Sequence, residues 1–299
     1  GWDAVAANAN DLVGYISLSA SHVVEGNTST PYGGLTIAST LAWGLGYFGM
    51  PHILLRFMAI EDKEKLKISR RVATVWVVIA MGVALLIGVV GNAVTAAGAL
   101  PFLEGNTSET IIVKIADLMG KYGVLFAIMG GVILAGILSS TMSTADAQLL
   151  AASSSISENL LRGFFRIQLS TNASIKIARA AVVAISLVAM FIARNPDSSV
   201  FRIVSFAWAG FGATFGPVVL LALFWKRSNK QGALAGMVTG GVMVFVWKFI
   251  IAPIGGVFAI YELLPAFLLA LAVNVIVSMA TPEPDKEIQD AFDRVKASM

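Results

Sequence analysis

Seven stretches of this chain stay apolar over close to the ~20 residues that a helix needs to cross a bilayer. They run over about Gly33–Leu55, Val72–Val94, Gly123–Leu150, Ile177–Ala193, Val200–Trp225, Gly232–Ala252 and Ile260–Ala280. Hydrocarbon offers no partner to a backbone N–H or C=O, so each stretch must satisfy its own peptide groups and reads as a helix. The chain is therefore expected to be an all-α polytopic membrane protein. Composition agrees, with 57% hydrophobic and 13% charged residues, against about 25% charged in a soluble domain.

Seven crossings put the two ends on opposite sides, and the basic residues say which is which. Short cytoplasmic loops accumulate Lys and Arg. Sixteen of the 21 basic residues fall on one side: Arg56, Lys63, Lys65, Lys67, Arg70 and Arg71, then Arg162, Arg166, Lys176 and Arg179, then Lys226, Arg227 and Lys230, then Lys286, Arg294 and Lys296 in the tail. This divides the chain into an extracellular or periplasmic loop at 1–32 with a short helix, a transmembrane region at 33–280, and a cytoplasmic tail at 281–299, helical past Pro284. The net charge of +3 is accounted for by these loops, so the lipid bilayer is an expected partner and nucleic acid is not. There is no cysteine, which removes disulfide, thiol and Cys-zinc chemistry. Residue 1 is Gly and no signal-like segment follows, so an N-terminal portion of the protein is expected to precede this sequence.

The most polar interruption of the apolar pattern is Leu134–Leu150, where five hydroxyls and one carboxyl close the third run. Polar atoms in hydrocarbon cost kilocalories unless paired, so these must face protein, water or an ion. On a helix, Ser140, Ser143, Thr144 and Ala147 fall at i, i+3, i+4 and i+7, one face. Two readings stand on the residues alone. Hydroxyls bond back to their own helix or glue helices together, or they supply oxygens to a hard cation such as sodium, which takes about five or six. Ser139 and Thr141 are expected to pack. Asp146, two to three residues beyond the hydroxyl face, fits a structural ion pair, a second cation site or a proton relay. The Ser153–Asn159 stretch reads as a polar exit into a basic loop.

Two runs look broken. Leu41–His52 holds Gly44, Gly46, Gly49 and Pro51, too many breakers for an undisturbed helix, and Trp208–Pro217 repeats the theme. Glycines let helices pack closely. Equally, non-helical backbone at membrane depth lines cavities, and the aromatics Trp43, Tyr47 and Phe48 suit the wall of a solute pocket. Only two histidines are present, with no His-Glu-x-x-His, no Gly-x-Ser-x-Gly and no phosphate-binding Gly-rich loop. An enzyme is not expected, which leaves a transport protein or a seven-helix receptor. The receptor is the weaker reading, and a retinal protein would need a Lys in the seventh run, which has none.

Leu41–Ile53, Ala135–Thr144, Ser205–Val219 and Gly232–Met237 closely resemble, in order, the sodium:solute symporter family, and the resemblance covers most of Gly33 to Trp247. It implies a leucine-transporter-type core of two inverted repeats, of which this chain would carry the second repeat plus two extra C-terminal helices. It implies sodium-coupled symport of L-proline across the cell membrane by alternating access, with another amino acid, a sugar or a carboxylate as alternative solutes. Positions matching Ser140, Ser143 and Thr144 line the sodium site, the first by its backbone carbonyl. Positions matching Trp43, Tyr47 and Pro51 bind the solute. Met50 stands where the proline carriers have Gln. Asp146 replaces a small or hydroxyl residue near where some members place a second sodium. The remaining sodium ligands would come from the missing N-terminal half of the same transporter.

Overall fold

The structure is a computed structural model that describes residues 1–62, 64–194 and 199–297. Lys63 and the Met299 terminus, both used above in placing the cytoplasmic side, lie outside the described residues. Six of the seven expected crossings are helices long and apolar enough to span a membrane among the described residues. The chain is thus an all-α polytopic membrane protein. The remaining crossing, the first, is interrupted where the breakers fall. The chain divides into two units, Gly1–Thr30 with Ile60–Ser199, and Pro31–Ala59 with Val200–Met299.

The first unit opens with α1 (Trp2–Asp11) and a two-stranded ribbon, β1 (Ala20–Val23) and β2 (Thr28–Pro31). The ribbon was not expected. It turns at Gly26 and Asn27, both with φ in the left-handed region. The Asn27 amide donates to the Asp11 carbonyl at 2.9 Å and its oxygen accepts from the Val13 N–H at 3.0 Å, which ties the turn to the end of α1. Then come the long helix α5 (Lys65–Ala96), the short surface helix α6 (Ile111–Met119), α7 (Val124–Ser154) and α8 (Thr171–Ile192). Between α1 and α5 in sequence lie three short helices of the second unit, α2 (Gly34–Leu41), α3 (Trp43–Gly46) and α4 (Pro51–Met58). Asn8 of α1 donates to Asn92 of α5 at 2.8 Å. The apolar faces of α5 and α8 stand open, a surface that lipid tails or further protein must cover.

The Ser153–Asn159 stretch, expected as a polar exit into a basic loop, stays helical. The helix of α7 continues in a wider, π-helical winding over Ser155–Phe164, so that 41 residues run unbroken. At 1.5 Å per residue that is about 60 Å, well beyond the ~30 Å hydrocarbon core. The last turns therefore project past the apolar layer, where Glu158 accepts from Arg162 at 2.7 Å. Ser153 and Ser157 are buried, and the hydroxyls of Ser153, Ser155 and Ser157 donate to the Leu150, Ala151 and Ser154 carbonyls of their own helix, so they need no partner from a site.

The second unit is built on α9 (Val200–Phe224), α10 (Lys230–Val246) and α11 (Leu263–Ala280), packed together around Ala209, Ala213, Val244, Leu263, Ala266 and Phe267. The first crossing lies across α9 in pieces: α2 (Gly34–Leu41), α3 (Trp43–Gly46), a tight turn of helix at Tyr47–Gly49, and α4 (Pro51–Met58). The expected break in α9 itself is absent. Its glycines serve packing instead: a Cβ on Gly212 would stand 2.7 Å from the Gly46 Cα. Pro217 lies inside the helix and leaves the Ala213 carbonyl without its usual N–H donor. Gly240 of α10 sits against that carbonyl so closely that a Cβ would collide with it. Lipid supplies no hydrophobic drive between helices, so such contact is what holds them.

Asn229 caps α10 and closes the other end of the bundle. Its oxygen accepts from the Gly232 N–H at 2.9 Å, while its amide donates to Thr281 Oγ1 and the Pro282 carbonyl, both at 2.8 Å. The tail helix α12 (Lys286–Ala297) follows Pro284 as expected and is anchored by the Lys226–Asp293 ion pair.

Two substitutions two residues apart separate packing from helix propensity. Gly212→Ala is expected to destabilise the full-length protein by about 1–3 kcal/mol through overpacking against Gly46. Gly210→Ala, whose Cβ would meet open space, should leave stability unchanged or raise it by up to about 1 kcal/mol. Thermal unfolding in detergent reads both.

Candidate functional site

Within the second unit, the break in the first crossing falls at Met50, whose backbone is extended at φ −79 and ψ 114. The cause is Pro51, whose ring disfavours helical geometry in the residue before it and which has no N–H to offer the Tyr47 carbonyl. Pro51 then opens α4 at its first turn, and the Met50 carbonyl accepts from the Ile53 and Leu54 N–H groups, each at 3.0 Å. Trp43, Tyr47, Met50 and Pro51 thus lie on one discontinuous segment. Tyr47 and Pro51 are exposed, Trp43 is half-buried and Met50 is buried.

An aromatic stack fixes this segment. The Trp43 ring lies 5.4 Å from Trp208 at 14°, 5.6 Å from Phe201 at 10° and 5.9 Å from Tyr261 at 19°. Tyr47 meets Trp208 edge-on at 4.8 Å, and the Trp208 indole N–H donates to the Trp43 carbonyl at 3.0 Å. Gly46 leaves the room for that indole, since a Cβ there would overlap it. Each aromatic pair adds about 0.5–1.5 kcal/mol beyond area burial. The arrangement leaves Trp43 with its faces occupied and Tyr47 with an open face, beside an interrupted backbone.

Sequence reasoning did not single out Trp208, Phe201 or Tyr261. For Trp208 a signal existed, because a Trp within a span needs a partner for its N–H. Nothing in the sequence pairs Tyr261 with Trp43, 218 positions away.

Within the first unit, α7 is a continuous α-helix through Ser140, Ser143 and Thr144, so the three share a face as the spacing requires. All three are exposed. Among the described residues, none of their hydroxyls has a hydrogen-bond partner. Thr141 does: its Oγ1 donates back to the Ile137 carbonyl at 2.9 Å. Ser139 and Thr141 were expected to pack, yet both are exposed, and Thr141 is satisfied by its own helix. Asp146 is exposed and makes no ion pair among the described residues. At about 100° per residue it lies roughly a third of a turn off the centre of the hydroxyl face.

The sequence pattern of the sodium:solute symporter family matches residues 10–240. The chain is 39% identical to a sodium/proline symporter of Haemophilus influenzae over 90% of this chain and 52% of that protein. It is 38% identical to an osmoregulated proline transporter of Bacillus subtilis, over 84% of this chain and 49% of that protein. A high-affinity proline transporter of the same organism is also 38% identical, over 89% and 54%. The chain spans about half the length of the curated relatives it matches. No solved structure matches.

Two changes at Trp208 divide its hydrogen bond from its ring. Trp208→Phe keeps an aromatic ring but loses the bond to the Trp43 carbonyl, an expected loss of about 1 kcal/mol. Trp208→Ala also empties the stack and should cost about 3 kcal/mol. Thermal unfolding of the full-length protein checks both.

Proposed function

The chain belongs to the sodium:solute symporter family, and from that premise we propose that the protein it forms part of carries L-proline into the cell, driven by sodium. The observation that carries the reading is the face of Ser140, Ser143 and Thr144: hydroxyls on an apolar span, aligned on one side of an unbroken helix and without partners among the described residues. Unpaired hydroxyls at membrane depth are costly, and a bound cation satisfies them while they replace its water. Neutral oxygens hold sodium reversibly, as transport requires.

Three oxygens are too few for sodium, so the rest of its shell comes from the part of the transporter outside this chain. The solute binds beside Tyr47, where the break at Met50 exposes backbone and the aromatic stack sets the wall. The relatives named for proline transport support proline as cargo. The helices form the second inverted repeat of a leucine-transporter-type core with two extra helices. Residues 1–32 lie outside and 281–299 in the cytoplasm, as the basic loops indicate. Coupling then means that each ligand binds more tightly with the other present. Asp146, open and unpaired, completes a second cation position in this reading.

In cells or proteoliposomes holding the full-length protein, labelled proline is expected to enter with sodium outside and to stop when choline replaces it. Uptake that persists in choline sinks the sodium coupling. Labelled proline that fails to enter, while a labelled sugar, carboxylate or other amino acid enters with sodium, would instead reassign the cargo.

A further inference from the structure

The loop that leads into α11, 255–262, reaches back to the first crossing in a way that the sodium and solute assignments do not use. Resting on the solute site proposed above, we infer that Tyr261 is a positioning residue for that site, held in place by an ion pair between its buried neighbour Glu262 and the half-buried Lys248.

Tyr261 engages three separate parts of its unit. Its N–H donates to Ser39 Oγ of α2 at 2.7 Å, its hydroxyl donates to the Ser205 carbonyl of α9 at 2.6 Å, and its ring stacks on Trp43 at 5.9 Å. Trp43 in turn stacks on Trp208, and Trp208 meets Tyr47. A continuous run of rings therefore connects the loop to the residue whose open face lies at the break. Moving Tyr261 frees one of the contacts on Trp43 and loosens the indole that sets Tyr47.

What fixes Tyr261 is the residue after it. Glu262 is 4% exposed, and a buried carboxylate is strongly unfavourable unless paired. Its oxygen accepts from the Lys248 ammonium at 3.0 Å, and that ammonium also lies 5.9 Å over the Phe206 ring. Lys248 sits in the π-helical continuation of α10 over Trp247–Ile251. The neighbouring Trp247 indole N–H donates to the Phe258 carbonyl at 3.1 Å, so the loop is also tied down at its middle. The pair joins the exit of α10 to the entry of α11, and Tyr261 is set between them.

The test is proline transport by the full-length protein, reading KM for proline, KM for sodium and maximal rate at matched amounts in the membrane. Tyr261→Ala is expected to raise KM for proline about tenfold, the loss of a hydrogen bond and a stacking contact together. KM for sodium should stay within about twofold. Tyr261→Phe, which keeps the ring, should recover most of the affinity. Glu262→Gln, which leaves Lys248 unpaired, should raise KM for proline in the same direction, and adding Lys248→Gln should restore part of it. A proline KM unchanged in Tyr261→Ala overturns the inference, as does an equal loss for sodium and proline, which would report general damage. Absence of proline uptake by the unsubstituted protein overturns both this inference and the function it rests on. Uptake that is normal in the unsubstituted protein and indifferent to Tyr261 overturns this one alone.

Discussion

A peptide group or hydroxyl in hydrocarbon has only the protein to pair with, and the main features of this structure answer to that constraint. It makes every crossing a helix, and it makes each departure from helix informative. Where Pro51 removes a donor, the backbone opens at Met50 and an aromatic stack closes around the opening. Where Pro217 removes a donor inside α9, the helix stays whole and Gly240 presses against the freed Ala213 carbonyl. The same residue type thus yields a break in one span and a packing seam in another. The neighbours decide: three glycines weaken the helix before Pro51, whereas α9 is clamped between α10 and α11.

Much of the fold was legible in the sequence because length and hydropathy alone constrain a membrane helix. Six of the seven crossings and the tail helix past Pro284 lie where the pattern put them. Local rules failed where the outcome depended on contacts. Glycine density read the same in the first and fifth crossings, and only packing partners distinguish them. The serines after Leu150 read as a polar exit into a loop, because polarity signals the end of an apolar span. In fact α7 outruns the bilayer and stays helical beyond it. The ribbon at Ala20–Pro31 rests on a turn at Gly26 and Asn27 that no long apolar pattern announces.

The candidate site was legible to a different degree in each unit. Helical spacing was enough to align Ser140, Ser143 and Thr144, since α7 is regular there. It also misjudged Thr141, which satisfies itself on the Ile137 carbonyl rather than packing. Ser139 is exposed and, among the described residues, without a hydrogen-bond partner too, so it is the shared helical face, and not the lack of a partner alone, that sets Ser140, Ser143 and Thr144 apart. On the solute side, Trp43, Tyr47 and Pro51 were identifiable, but their support was not. Trp208, Phe201 and Tyr261 come from elements distant in sequence, and their contribution exists only once α9 and the loop before α11 are folded against the broken segment.

Sodium coupling requires that the hydroxyl face hold the ion. Equilibrium binding of radiolabelled sodium to the purified full-length protein addresses this without any transport step, comparing the unsubstituted protein with Ser143→Ala/Thr144→Ala and with Thr141→Ala. Removing two ligand oxygens should weaken sodium binding by about tenfold or more, while Thr141→Ala, whose hydroxyl is already satisfied, should bind as before. Sodium affinity unchanged in the double variant would contradict the account.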